Sequence, residues 1–320
     1  MSFSKDSKIE ILNTHKENAD TAFAFLSGLF HAAGEIEKNG QALKAAIVTD
    51  LNELYPVVNE LAHTLYGDYL ELDIEDDYVI NKTTYYRITF PATFAERLLK
   101  DIGLLEITND GYHLNWGIDS NIVCSEETKI SFLRGAYLGC GTSSIRLSEV
   151  ESEKTTSGYH LELTSHSHVF LTDLAALLVE FNILSKLVER KNLFVLYIKE
   201  AELIKDFLAL LGADNSVMAL SNEMIIREKR NQINREVNCI NANISKTVDA
   251  SMRQIEAINV IISTIGIESL DDQLQEVAFL RMANPEESLD GLLSLSTLRL
   301  SKSGLNHRLN KLIKIAKELK

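Results

Sequence analysis

The chain has 320 residues, a net charge of −14 and three cysteines. That length supports two domains with real cores, and no apolar run is long enough to span a membrane. Cys124, Cys140 and Cys239 are scattered and odd in number, which excludes a disulfide framework and a paired-cysteine metal site and fits a reducing compartment.

The polar start (Ser4, Lys5, Asp6, Lys8, Glu10) lacks the apolar core of a signal peptide, so the expected location is the cytoplasm. Two nine-residue stretches then organise the first two thirds of the chain. Residues 26–34 read Leu-Ser-Gly-Leu-Phe-His-Ala-Ala-Gly, and residues 133–141 read Leu-Arg-Gly-Ala-Tyr-Leu-Gly-Cys-Gly. Gly28 and Ala32 in the first, and Gly135 and Gly139 in the second, lie four apart and share a helix face. Two such helices can pack with their backbones close together. Gly34 and Gly141 fall where each helix ends or turns.

The order of elements after each stretch also repeats. After the first come a strand at 42–49, a helix at 51–65, strands at 69–74 and 85–90, and a helix at 94–99. After the second come a strand at 159–164, a helix at 171–181, strands at 184–188 and 193–198, and a helix at 201–211. Strands are read from β-branched and aromatic content, helices from three/four spacing. A repeat of this period predicts two similar half-domains facing each other.

The paired stretches resemble the LAGLIDADG repeats of homing endonucleases. That resemblance implies two αββαββα halves with the motif helices as their interface. It also implies an acidic residue at the eighth motif position to hold a catalytic divalent metal. Here that position is Ala33 in one repeat and Cys140 in the other, and the sixth position is His31 and Leu138. Hard cations need oxygen ligands, so the scaffold is expected to be catalytically dead and to need no cofactor or metal. Glu35 follows Gly34, but its counterpart is Thr142.

The run Glu71, Asp73, Glu75, Asp76, Asp77 would repel phosphate where such a fold grips DNA. It is expected as a solvated acidic loop at a strand end, and the domain is expected to serve protein contacts. His160, His166 and His168 lack the further ligands of a zinc site. Ser165 or Ser167 is expected to cap the following helix. The sequence holds no phosphate loop and no nucleophile elbow.

Charge is distributed unevenly. Residues 1–221 carry 18 Lys and Arg against 33 Asp and Glu, whereas residues 222–320 carry 14 against 13. The last 22 residues carry seven against one. Residues 223–262 contain no Pro or Gly, and Ile233, Val237, Ile240, Ile244 and Val248 form a helical stripe. Arg227, Lys229, Arg230 and Arg235 lie along it as candidate linker contacts to DNA. Asn231, Asn234, Asn238, Asn241 and Asn243 are dense for a helix. Contact with a partner or nucleic acid and a solvated connector both fit them.

A helix is predicted over 270–282. Asn284-Pro285-Glu286-Glu287 reads as the start of a second helix ending near Leu293. A last helix, capped by Ser301 or Ser303, carries Leu305, Leu309, Leu312, Ala316 and Leu319 on one stripe. Three helices with a short second turn and a basic, Asn-bearing third helix describe a helix-turn-helix. Ser301, Lys302, Ser303, Asn306, His307 and Asn310 are the candidates for reading bases. Arg299, Arg308, Lys311 and Lys314 are the candidates for phosphates.

The degenerate motif pair, Arg227-Glu228-Lys229-Arg230-Asn231 with Asn234-Arg235, Lys246-Thr247-Val248-Asp249-Ala250, and Ser301-Lys302-Ser303-Gly304-Leu305-Asn306-His307-Arg308-Leu309 together resemble the bacterial WhiA family. The resemblance implies a DNA-binding protein of cell division, chromosome organisation or sporulation-linked transcription. The expected fold is α+β: a pseudo-two-fold LAGLIDADG-like domain at 1–217 (repeats at about 1–115 and 122–215), a helical linker at 218–264 and an all-α helix-turn-helix domain at 265–320. The expected partner is double-stranded DNA at the nucleoid, with a protein partner for the N-terminal domain and no membrane. Two rivals stay open: a retained metal-dependent endonuclease, and a protein–protein adaptor whose basic tail is incidental.

Overall fold

The computed structural model describes all residues except 1, 15, 40–41, 68–71, 81–82, 110, 146, 148–157 and 320. It divides into two compact units, Met1–Ile226 and Arg227–Lys320.

The first unit opens with α1 (Phe3–Thr14) and the first motif helix α2 (Ala19–Ala33). There follow β1 (Gly34–Asn39), β2 (Ala42–Thr49), α3 (Leu54–Tyr66), β3 (Asp73–Ile80), β4 (Thr83–Phe90) and α4 (Ala92–Asp101). A hairpin of β5 (Leu105–Thr108) and β6 (Gly111–Leu114) leads to the second motif helix α5 (Glu126–Cys140). Then come β7 (Gly141–Ser143), β8 (Leu161–Ser165), α6 (His168–Glu180), β9 (Lys186–Arg190), β10 (Leu193–Ile198) and α7 (Ala201–Leu211). The first sheet runs β1-β2-β4-β3 and the second β7-β8-β10-β9, so both halves have the same antiparallel order. The αββαββα duplication is real.

Both motif helices begin with the same device. Asn18 caps α2 and Ser125 caps α5, each in a reciprocal box with a threonine three residues on (Thr21, Thr128). The two helices pack at their small residues, and a Cβ on Gly139 would come within 2.6 Å of the Ala32 Cβ. Around them Leu26, Leu29, Phe30, Phe132, Leu133 and Leu138 join a single core shared by the two halves.

Gly34 and Gly141 end their helices in extended rather than left-handed backbone, with φ of −78° and −77°. Their glycine requirement is spatial. A Cβ would lie 2.4 Å from the Phe30 oxygen in one case and 2.2 Å from the Tyr137 ring in the other.

Several expectations need correction. The helix expected from residue 51 begins at Leu54, and α6 begins at His168, capped by Ser167, rather than at residue 171. The expected strand at 69–74 is displaced to Asp73–Ile80; its residues 69–71, including Glu71, lie outside the described residues. Asp73, Glu75 and Asp76 therefore belong to a strand, not to a loop at its end. β3 is an edge strand of its sheet, where charged side chains discourage pairing with another chain. α1, β1, β7 and the β5–β6 hairpin were not among the expected elements. β1 (Gly-Glu-Ile-Glu-Lys-Asn) carries no apolar alternation beyond Ile36 to reveal it.

The second unit takes most of α8 (Asp214–Thr264), a helix of 51 residues. After a short 3₁₀ turn at Ile267–Ser269 come α9 (Asp272–Ala283), α10 (Leu289–Leu295) and α11 (Lys302–Glu318). Their core is Ala257, Ile258 and Ile261 of α8 with Leu274, Val277, Ala278, Leu292, Leu305, Leu309, Leu312 and Ala316.

Asn284-Pro285-Glu286-Glu287 does not start the second helix. The Asn284 amide ends α9 on the Leu280 oxygen, and Ser288 caps α10 by accepting from the Gly291 amide at 3.1 Å. The buried Arg281 guanidinium explains the displacement. It donates to the backbone oxygens of Asn284 (3.3 Å) and Glu287 (2.8 Å), while Ser251 of α8 donates to that of Pro285 (2.5 Å). With its carbonyls held this way, the segment is a turn.

Candidate nucleic-acid interface

α11 is positioned from both ends. Ser301 accepts from the Gly304 amide at 3.1 Å and starts the helix. Leu305, Leu309, Leu312 and Ala316 bury one stripe, which turns the opposite face outward.

At about 100° per residue, that outer face carries Ser303, His307, Asn310 and Lys314, all exposed. The other candidates fall on its two edges. Asn306 lies on the edge beside α8, where it and Asn310, at the margin of the outer face, line a groove of about 490 Å³ with Arg253, Gln254 and Lys317. Arg308 and Lys311 lie on the opposite edge, toward α9. Arg308 donates to Gln273 at 2.5 Å and to the Gly304 oxygen at 3.2 Å, and Lys311 reaches Asp271 at 3.5 Å.

Lys302 pairs with Asp290 of α10 at 2.5 Å, with both side chains exposed. Exposed pairs of this kind contribute about 0–1 kcal/mol, so these cations can turn to a nucleic acid at little cost. Ser301 is committed to its cap and also meets Ser303 at 3.0 Å. Arg299 is exposed just before the helix. The linker candidates Arg227, Lys229, Arg230 and Arg235 all lie on α8, with Arg235 donating to the Asn231 oxygen at 3.2 Å.

The residue that sequence reasoning missed is Arg281, which orders the turn before α10. Its only signal was a charged side chain on the apolar stripe of Leu274, Val277 and Ala278.

At the base of the motif helices lies a cleft of about 630 Å³. His31, Trp116, Gly139, Cys140, Thr164, Ser165 and His166 line it. Burial pushes the Cys140 thiol up to about 12, and its Sγ meets the Ala136 oxygen at 3.4 Å. His31 is held by carbonyls, with Nδ1 2.7 Å from the Ser27 oxygen and Nε2 3.2 Å from that of Gly117; burial lowers its pKa. Glu35, the alternative carboxylate, is occupied by Arg87 at 2.8 Å. His160 meets Glu162 at 2.5 Å and stacks on Tyr197, while His168 packs on Phe194. Among the described residues, no three His, Cys, Asp or Glu side chains are grouped to hold a metal ion.

The outer faces of the two sheets differ in charge. Strand register places Glu35, Glu37, Asp73 and Glu75 on one face of the first sheet with Lys44 and Arg87. The corresponding face of the second carries Glu162, Lys186, Tyr197 and Arg190, and Arg190 bonds to Glu162 at 2.8 Å.

The model of the WhiA LAGLIDADG-like domain matches residues 129–230, and that of the WhiA C-terminal HTH domain matches residues 233–316. A "Probable cell division protein WhiA" of Thermoanaerobacter pseudethanolicus is 37% identical over 100% of this chain and 98% of its own length.

The chain belongs to the WhiA family.

A WhiA relative of the same description from Clostridium beijerinckii is also 37% identical, across 100% of this chain and 99% of its own. The crystal structure of full-length DUF199/WhiA from Thermatoga maritima aligns with a TM-score of 0.57 and 25% identity, covering 99% of each chain. The WhiA architecture, a LAGLIDADG-like domain followed by a helix-turn-helix domain, is therefore that of this chain. Among the described residues, no helix is long and apolar enough to cross a membrane.

Proposed function

We propose that this chain is a non-enzymatic, sequence-preferring DNA-binding regulator of cell division or sporulation-linked transcription, acting in the cytoplasm at the nucleoid. One observation carries the reading: in a helix-turn-helix domain of the WhiA kind, α11 turns outward a face of hydrogen-bonding and cationic side chains.

Lys302, Ser303, Asn306, His307 and Asn310 read base edges, with Ser301 fixing the start of the helix that carries them. Arg299, Arg308, Lys311 and Lys314 hold phosphates, and Arg227, Lys229, Arg230 and Arg235 supply additional backbone contacts. The N-terminal domain meets a protein partner. Its first sheet is acidic on its outer face, and Ala33 and Cys140 stand where an endonuclease needs carboxylates.

The test is selection of the full chain against a randomised duplex pool, followed by single substitutions. Asn310→Ala is expected to cost about 1–3 kcal/mol on the selected site and to relax preference at one base pair. Failure to enrich any sequence, or an equal loss on all sequences, would contradict base reading by α11.

A further inference from the structure

We propose that two copies of this chain associate by antiparallel pairing of their α8 helices, centred between Asn238 and Cys239. The inference rests on α8 and not on DNA binding.

Positions Arg230, Ile233, Val237, Ile240, Ile244, Thr247, Ser251, Gln254, Ile258 and Ile261 alternate in steps of three and four without interruption. This is the seam of a two-helix coil. At its C-terminal end the seam is covered, because Ser251, Gln254, Ile258 and Ile261 are all buried in the second unit. The same seam then continues uncovered toward the N-terminus. Ile233 is 58% exposed, Ile240 57% and Ile244 56%, with Val237 nearly half exposed. A helix face built for packing is thus half used.

The spacing fits a second copy of the same helix. Ile233, Val237, Ile240 and Ile244 are separated by four, three and four residues, a pattern that reads the same in reverse. Laid antiparallel on a second copy, Ile233 opposes Ile244 and Val237 opposes Ile240, so each apolar layer meets another. Arg230 then opposes Thr247. A parallel pairing would instead set Arg230 against Arg230 inside the seam.

The flanking positions agree. Asn234, Asn241 and Asn243 border the seam, and Arg235 and Glu236 are the only charges between residues 231 and 245. Antiparallel pairing therefore brings no like charges together along the flanks. It also gives the asparagines a use that helix propensity denies them. The apolar surface covered would be roughly 1,000 Å² in all, at the lower bound for a specific interface, so the dimer is a reversible, concentration-dependent one.

The experiment is sedimentation equilibrium of the full chain across micromolar concentrations, beside Val237→Gln/Ile240→Gln. Glutamine keeps helix propensity, and both positions are exposed, so the variant folds. The wild type is expected to double in mass with concentration, and the variant to remain monomeric while keeping its helical content and any DNA binding.

Spin labels set the direction, in a Cys124→Ser background with label on Cys239, or with Met252→Cys and Cys239→Ser. An antiparallel pair brings Cys239 labels close, and it separates labels at residue 252 by roughly 40 Å along the helix at 1.5 Å per residue. A monomer at every concentration, a dimer indifferent to the glutamines, or short distances at both label sites would overturn the proposal.

Discussion

Gly28 and Gly135 hold the two motif helices at backbone contact. A Cβ on Gly28 would fall 2.1 Å from the carbonyl oxygen of Phe132, and one on Gly135 would fall 2.1 Å from that of Phe25. Neither obstacle is a side chain that could swing aside. Gly28→Ala or Gly135→Ala must push the helices apart, loosening the core on both sides. The expected loss is about 3 kcal/mol or more, read as a lower urea midpoint. Gly67→Ala is the informative contrast: its Cβ would meet nothing within 4 Å among the described residues, and its φ of +86° is what resists the change.

Cys140, at the motif position where the LAGLIDADG resemblance implies a metal ligand, is a buried and inert thiol. Its pKa of about 12 leaves almost no thiolate at pH 8, while Cys124 and Cys239 are exposed. Titration with a thiol reagent at pH 8 should find two reactive cysteines in the folded chain and a third only after denaturation. A rapidly reacting third thiol would mean that the base of the motif helices is open.

His31 makes stability depend on pH. Burial is the largest cause and holds its pKa below the ordinary 6.5, against the contrary pull of Ser27, Gly117 and Asp173. The unfolded chain takes up the proton first as pH falls. This contribution is therefore complete above pH 6.5 and declines below it. Urea midpoints measured from pH 7.5 to 5 should fall less steeply for His31→Phe than for the wild type.

Arg281 should matter to DNA binding without touching DNA. Arg281→Ala leaves the carbonyls of Asn284 and Glu287 without their donor and cuts a large side chain from the core of the second unit. A loss of about 2–4 kcal/mol is expected, with faster amide exchange from residue 284 to 291. Arg281→Lys, a single point charge in place of a fork, should recover only part of it.

The legibility of each element in the sequence depended on whether its signal was local. The small residues at 28, 32, 135 and 139 announced the helix crossing, because close backbones leave no other choice of side chain. The second sheet was readable in Leu193–Ile198, an apolar run bounded by polar residues. β1 was not readable, since Glu35 and Glu37 lie on an open sheet face and burial never shaped it. The turn at Asn284-Pro285 looked like a helix start because the local chemistry of capping was present; only the distant Arg281 and Ser251 decide otherwise. On α11 the stripe of leucines was evident. The division of the polar residues between outer face and edges depended on where α8 and α9 pack.

The most direct measurement is titration of labelled duplex DNA by fluorescence anisotropy at several salt concentrations, with the full chain and with Lys311→Gln/Lys314→Gln. The wild type is expected to bind with affinity falling linearly in log salt. The variant should bind more weakly, with a slope shallower by about 1.8, the value for two phosphate contacts. Binding insensitive to salt, or a slope unchanged by the substitutions, would take the DNA surface away from α11 and contradict the account.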